Sequence, residues 1–219
     1  MMFFTHLLLS IAVAVVVAPL LGGSVGGPVL LGTLVVGGVA PDLDLLARHR
    51  RTLHYPVWYP VLTVMCLGVF WSTGATVALL ASRMFGAAAL NMFSDLLGGS
   101  AETAPWAPVT EFGVYNHVLG RWHRPRRLVQ YSGAPRDFIL AGGTAAFVWI
   151  APATPPGVRV VAVGLVASAC GYTLARRRLK PLAEVFARAV PIRIRRLFPV
   201  LQVEESEGGG TTVSVRLNR

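Results

Sequence analysis

Charged side chains are scarce in this chain of 219 residues: 14% of the residues are charged, whereas 54% are apolar. In a soluble domain about a quarter of the residues are charged, so this composition argues against an ordinary soluble domain. Together with a mean hydropathy of +0.60, it indicates an integral membrane protein whose apolar faces are buried in lipid.

Cysteine is almost absent. Cys66 and Cys170 are the only two, both lie in apolar runs, and no CxxC spacing exists. The sequence therefore predicts neither a disulfide framework nor a cysteine metal cluster, and both residues are expected to be small core residues.

Basic residues are also lacking before the first apolar run, and no clear small-x-small cleavage site follows it, so we expect a retained first helix rather than a signal peptide.

Acidic residues are few: ten carboxylates stand against 20 basic side chains, all but one of them arginine, giving a net charge of +10. Such a balance is seen in nucleic-acid-binding proteins. In so apolar a chain it is better explained by anionic membrane lipids and by cytoplasmic loops that are rich in arginine. We therefore expect membrane lipids as partners and no nucleic acid.

Six apolar runs predict an all-α integral membrane protein with about six transmembrane helices, because a bilayer needs about 20 apolar helical residues per crossing. The second and fifth runs are short, and a re-entrant segment is an alternative for each. The runs are Phe3–Leu21, Val25–Ala40, Val57–Trp71, Ala75–Leu97, Phe138–Ala151 and Val158–Ala175.

The breaks between these runs alternate between uncharged and basic segments. Because basic loops stay in the cytoplasm, six crossings place all the basic breaks on one side and both chain ends in the cytoplasm. The basic residues concerned are Arg48, Arg50 and Arg51, then Arg121, Arg124, Arg126, Arg127 and Arg136, then Arg176, Arg177, Arg178 and Lys180.

The last part of the chain differs in composition. We divide the chain into a transmembrane helical domain, residues 1–175, and a basic interfacial segment with a C-terminal hairpin, residues 176–219. Leu179–Phe198 mixes apolar and basic residues, which is typical of a segment lying on anionic lipid. Leu201–Glu205 and Thr211–Leu217, joined by a glycine-rich turn, are predicted to form a small β-hairpin.

Asp42, Asp44, His49 and His54 form the most informative cluster, since two of the ten carboxylates and two of the five histidines fall within residues 42–54. Imidazole and carboxylate are the ligands that first-row divalent metals take. The alternatives are that one aspartate caps a helix over Leu45–Arg51 and that the histidines belong to a basic interfacial loop.

The predicted topology brings further residues to the same cytoplasmic face. His6 begins the first helix, and Asp95 ends the fourth, where Asn91 lies four residues earlier on the same helical face. A polar stripe that holds helices together is the alternative for this pair. Arg83, near the middle of the same run, either binds a site carboxylate or a substrate phosphate or extends to the membrane surface.

Two aromatic-basic triplets follow the fourth run, Tyr115-Asn116-His117 and Trp122-His123-Arg124. A solvated basic loop with aromatic anchors at the membrane surface is the simpler interpretation. The alternative is a contact to phosphate or a lipid headgroup, with arginine supplying paired donors.

The order of these elements resembles a known family. His6, then Pro41-Asp42-Leu43-Asp44, then His49-Arg50-Arg51-Thr52-Leu53-His54, then Asn91-Met92-Phe93-Ser94-Asp95 is similar to the membrane-bound, metal-dependent hydrolases of the YdjM-like, LexA-regulated group. The resemblance extends over about the first 110 residues. It implies a divalent metal, with zinc favoured, and a hydrolase. The last element of that family is also similar to one in zinc-dependent phospholipases C, which implies a phosphoester substrate.

The chain departs from the family pattern at several positions. Asn91 stands where the family has histidine, and an amide oxygen is a poorer zinc ligand than imidazole. Arg51, Leu53 and Tyr55 replace the family's glycine, threonine and serine. These departures predict a metal site that binds more weakly, holds fewer ions or is degenerate.

Three hypotheses follow. In the first, a membrane-bound hydrolase holds its metal with His6, Asp42, His54 and Asp95, and with Asn91 in the position of the family's histidine. Asp44 and His49 are either further ligands or groups that support the ligands. Asp44 is the preferred acceptor of a proton from water, and Arg50 or Arg83 holds an anionic substrate. In the second, the same fold is a catalytically degenerate scaffold or a lipid-binding protein. In the third, the chain is a small transporter, which the absence of internal repeats disfavours.

Overall fold

The computed structural model describes residues 1–19, 28–46, 50–99, 112–189, 200–205 and 211–216. Helices dominate these residues, as the sequence predicts, and the strands are short. In chain order the elements are α1 (Phe3–Val17), α2 (Pro28–Val39), a 3₁₀ helix (Ala40–Leu46), α3 (Trp58–Thr73), α4 (Thr76–Leu97), β1 (Val114–Asn116), β2 (Arg121–His123), α5 (Pro135–Ile150), α6 (Pro156–Ala189), β3 (Val200–Glu205) and β4 (Thr211–Arg216).

Each of the six α-helices covers most of one predicted apolar run. Two of the described helical segments are long and apolar enough to cross a membrane, Thr76–Leu97 and Pro156–Arg176. The helices α1 and α3 are apolar but shorter, and α2 has only 12 residues, or about 18 Å at 1.5 Å per residue. The mostly helical fold is thus confirmed, while six crossings stay a prediction.

Both small sheets are antiparallel hairpins. The predicted C-terminal hairpin is confirmed, with Val200 opposite Arg216 and Glu205 opposite Thr211. The second hairpin, β1 with β2, pairs Val114 with His123 and was not predicted, because three-residue strands leave no alternating pattern in the sequence.

The helix α1 lies at the centre of the bundle, in contact with α2, α4, α5 and α6. Its inward side chains, Leu8, Ile11 and Val15, are almost fully buried and pack in one cluster with small residues of the later helices. The helix α3 packs chiefly on α4, and none of its residues is buried. Consequently α3 turns apolar side chains outward along its whole length.

The contact between α2 and α4 is unusually close at Gly37. A Cβ placed on Gly37 would lie 2.0 Å from the backbone oxygen of Met84, far inside van der Waals contact. Only glycine permits this approach of two helix backbones. The contact fixes the position of α2 along α4 and so the position of the segment that follows α2.

Asp42 and Asp44 both lie inside the 3₁₀ helix Ala40–Leu46, which begins next to Pro41. Residues 47–49 lie outside the described residues, so capping of a helix over Leu45–Arg51 stays an alternative. The division of the chain after residue 175 stays a prediction; α6 continues through this position, from Pro156 to Ala189.

Replacing Gly37 with alanine is expected to destabilise the protein by about 1–3 kcal/mol, because the added methyl group must push α2 away from α4. Gly32→Ala is the matched control: the same helix carries it, and nothing lies within 4 Å of the added Cβ. Thermal unfolding in detergent should show a lower midpoint for Gly37→Ala alone. Equal midpoints for the two variants would contradict the close helix contact.

Candidate metal centre

Asp95, in the last turn of α4, is the residue on which the other site residues converge. Its side chain is 2% exposed. The Oδ1 atom lies 2.6 Å from the Met1 nitrogen and 3.4 Å from His6 Nε2. The Oδ2 atom lies 3.4 Å from His54 Nε2 and 3.5 Å from Arg50 Nε. One buried carboxylate therefore faces two imidazole rings and a guanidinium group.

The ring of His6 is oriented by Ser94. The Ser94 hydroxyl donates its hydrogen to the backbone oxygen of Asn91 at 2.8 Å, so its oxygen is left to accept a hydrogen bond from His6 Nδ1 at 2.6 Å. This assigns the proton to Nδ1 and leaves the lone pair on Nε2. The Nε2 atom is buried and has no hydrogen-bond partner among the described residues, and it points toward Asp95.

The ring of His54 is oriented in the same way by Asp44. His54 Nδ1 donates to Asp44 Oδ2 at 2.8 Å, and both side chains are fully buried. The opposite nitrogen, Nε2, faces Asp95. Burial by itself lowers the pKa of His54, but the hydrogen bonds and negative charges of Asp44 and Asp95 outweigh that effect and raise the pKa above its usual value.

Asn91 connects the cluster to Asp42. Its Nδ2 group donates to the backbone oxygen of Gly38 at 2.8 Å and to Asp42 Oδ2 at 3.1 Å. The Asn91 Oδ1 atom is buried, and within the described ranges nothing donates to it. His6, Asp42 and Asp95 each offer a ligand atom within 4.8 Å of the others. This spacing is compatible with three ligands around one metal ion.

Arg50 is held in the site by an unusual backbone conformation and a buried side chain. Its backbone lies in the left-handed region, with φ of 61°, which is uncommon for a residue with a side chain. The side chain is buried, where Nη1 donates to the backbone oxygen of Gly99 and Nε faces Asp95. Arg50 is therefore directed at a site carboxylate rather than at the solvent.

Six of the residues predicted to form the site lie directly around Asp95 or support its neighbours: His6, Asp42, Asp44, Arg50, His54 and Asn91. His49 lies outside the described residues. Arg83 does not join them, because it precedes Asp95 by twelve residues on one helix and is thus about 18 Å away along the helix axis. Its Nη2 group is buried with no hydrogen-bond partner in the described part of the chain.

Sequence reasoning missed Asp137, which is fully buried near the start of α5. It accepts hydrogen bonds from the Met2 nitrogen at 2.6 Å, from Thr5 Oγ1 at 2.7 Å and from the Gly133 nitrogen at 3.1 Å. These bonds fix the first turn of α1, which carries His6. The available signal was an acidic residue just after a proline at a helix start.

Comparison of the chain with models of protein families, with curated proteins and with solved structures found no match. Membership of the YdjM-like hydrolase family thus stays a prediction. The arrangement of side chains around Asp95 is the guide to what the protein does.

Proposed function

We propose that the protein is a membrane-bound hydrolase that depends on a divalent metal held around Asp95. One observation supports this function above the others. His6 and His54, from different segments, direct Nε2 toward the two oxygens of one buried carboxylate, while Ser94 and Asp44 hold their Nδ1 atoms from behind. Metal-binding histidines in proteins are supported in this way by a second hydrogen bond.

The residues present fit a divalent metal. An unpartnered buried polar atom costs about 1–3 kcal/mol, and the cluster contains two such ligand atoms among the described residues, His6 Nε2 and Asn91 Oδ1. A cation bound between them would satisfy both and would also balance the charges of Asp42 and Asp95. Imidazole and carboxylate together favour zinc, as the family resemblance also implies.

The ligands of this metal would be His6, Asp42, His54 and Asp95, with Asn91 Oδ1 as a weaker fifth donor. When bound, the ion would supply a water of lowered pKa and would polarise a phosphoryl or acyl oxygen. Because Asp44 is hydrogen-bonded to His54, we assign it to orienting that ring rather than to accepting a proton. Asp42, which is only partly buried, is the carboxylate that we assign to proton uptake.

Arg50 then has an electrostatic task. Its guanidinium group lies 3.5 Å from Asp95 Oδ2, so it limits the negative charge of the cluster and leaves it able to receive an anionic substrate. A phosphoester or a lipid-like molecule at the membrane surface is the substrate class that we favour, since it combines a negative headgroup with an apolar body.

The membrane location is supported by the outward-facing apolar side chains of the helices. Val64, Met65 and Trp71 of α3 and Ile150 of α5 are each more than 60% exposed, which is unfavourable in water and favourable in lipid. We place the metal centre at the cytoplasmic end of the bundle, because the arginine-rich segments join the helices at that end. Both chain ends are then cytoplasmic.

The second candidate function is a catalytically degenerate scaffold or lipid-binding protein of the same fold. Asn91 is the observation that favours it. Its Nδ2 group is engaged with Gly38 and Asp42, so only its amide oxygen is left for a metal. A site that has lost a histidine ligand would bind metal less tightly.

Metal analysis of the protein purified in detergent tests the first function. We expect about one zinc ion per chain, and its loss in a His54→Ala/Asp95→Ala variant, because both changes remove ligands. His123→Ala is the control, since that histidine lies in β2 and its ring pairs with Asn116, which is not a candidate ligand. Metal content well below one per chain in the parent protein would contradict the proposal.

Asp44→Asn tests the orienting role of Asp44. We expect metal affinity to fall about 10- to 100-fold, as is typical when the group behind a histidine ligand is changed. Ser82→Ala is the control, because Ser82 is also buried but bonds within its own helix, to the Leu79 backbone oxygen. Competition with a chelator measures the metal affinity of both variants. An equal effect of Asp44→Asn and Ser82→Ala would assign Asp44 to general stability only.

Asn91→His separates the two candidate functions. In the degenerate protein, restoring the imidazole should raise metal affinity and produce phosphodiesterase activity on a chromogenic ester that the parent lacks. In an active hydrolase, the parent hydrolyses the ester, and the change gives at most a several-fold gain. Activity assays with matched metal loading distinguish these outcomes.

A further inference from the structure

The segment that follows α4 is strongly basic and lies beside the metal centre. Residues 112–136 contain five arginines and no acidic residue. We call residues 112–128, which comprise β1, β2 and their flanks, the arginine hairpin. Three of its arginines are exposed, namely Arg121, Arg124 and Arg126. Its described surface therefore carries positive charge.

The tip of the arginine hairpin is apolar. Val118 and Leu119, in the turn between β1 and β2, are 57% and 54% exposed. The turn is ordered: Asn116 Oδ1 accepts hydrogen bonds from the backbone nitrogens of both residues, and Gly120 supplies the left-handed backbone with φ of 62°. A fixed turn therefore projects two aliphatic side chains away from the protein.

Aromatic rings support the base of this turn. The Trp122 ring lies 5.4 Å from that of Phe112 and 5.3 Å from that of Tyr115. The guanidinium of Arg51 lies 4.6 Å from the centre of the Tyr115 ring. Tryptophan and tyrosine beside arginine are typical of protein segments at the boundary between lipid and water.

The arginine hairpin is attached to both segments that build the metal centre. The Tyr115 nitrogen donates to the Arg50 backbone oxygen at 3.0 Å, and the His117 ring lies 4.6 Å from that of Tyr55. At the other end, the nitrogens of Arg126 and Arg127 donate to Leu96 and Gly98 at the end of α4. The hairpin thus lies at the same end of the bundle as Asp95.

We propose that the arginine hairpin docks on anionic phospholipid at the membrane surface next to the metal centre. The tip enters the apolar boundary of the bilayer, and the arginines pair with lipid phosphate groups. A nucleic acid would also pair with the arginines but offers no apolar layer to the aliphatic tip, whereas a bilayer places anionic headgroups directly above such a layer. The inference rests on the membrane location proposed above and not on metal binding or hydrolysis.

A fluorescent label at the tip tests this docking. In a Cys66→Ala/Cys170→Ala background, Val118→Cys carries an environment-sensitive fluorophore, and the protein is placed in nanodiscs of phosphatidylcholine with or without phosphatidylglycerol. We expect a blue shift, and quenching by spin-labelled lipid several-fold stronger with phosphatidylglycerol, both reduced by salt. Ser72→Cys is the matched control: it is exposed at the far end of α3 with no arginine nearby in sequence.

Arg121→Gln/Arg124→Gln/Arg126→Gln should abolish the dependence on phosphatidylglycerol at position 118. A label that stays in water in both lipids, a triple variant that behaves like its parent, or an equal blue shift on adding soluble RNA or an acidic peptide would overturn the proposal. Metal content, measured on the same samples, separates this result from the hydrolase: it should be unchanged in the triple variant. Loss of metal in His54→Ala/Asp95→Ala should leave the label signal intact.

Discussion

The negative charge of Asp95, buried at the end of α4, is the constraint on which the rest of the site depends. A carboxylate removed from water must be offset by donors or cations. Here the Met1 nitrogen, His6, His54 and Arg50 all approach it. These groups belong to separate segments within the first 54 residues, and they meet Asp95 because α1, α4 and the segment after the 3₁₀ helix pack together.

The two histidines are held in defined orientations and not merely close to Asp95. Each has one nitrogen committed to an acceptor, Ser94 or Asp44, so the other nitrogen presents a defined direction to Asp95. Ser94 can do this because its own hydrogen is taken by the Asn91 backbone. The Ser94 hydroxyl, the Asp44 carboxylate and the Asn91 backbone oxygen thus set the orientation of the two imidazole rings.

The sequence predicted where the candidate site residues gather, but it did not determine what each side chain does there. Arginine distribution predicted that His6, Asp42, His54 and Asp95 would gather at one end of the bundle, because basic loops share a side and helix ends follow from that. It could not separate ligand from support at Asp44, since this depends on how a 3₁₀ helix is rotated toward His54. Arg50 is buried and has a left-handed backbone. The residues around it in the sequence contain no glycine or turn pattern that predicts this conformation. The distance between Arg83 and Asp95 could be predicted from the sequence, because the two lie twelve residues apart in one predicted helix.

Asp137 belongs to α5, a helix that contributes no candidate ligand. Its hydrogen bonds to Met2 and Thr5 fix the position of α1 along its axis, and so the position of His6 relative to α4. The centre is therefore a property of the assembled bundle. A fragment ending before α5 would retain every candidate ligand in its sequence and still lack the element that sets one of them in place.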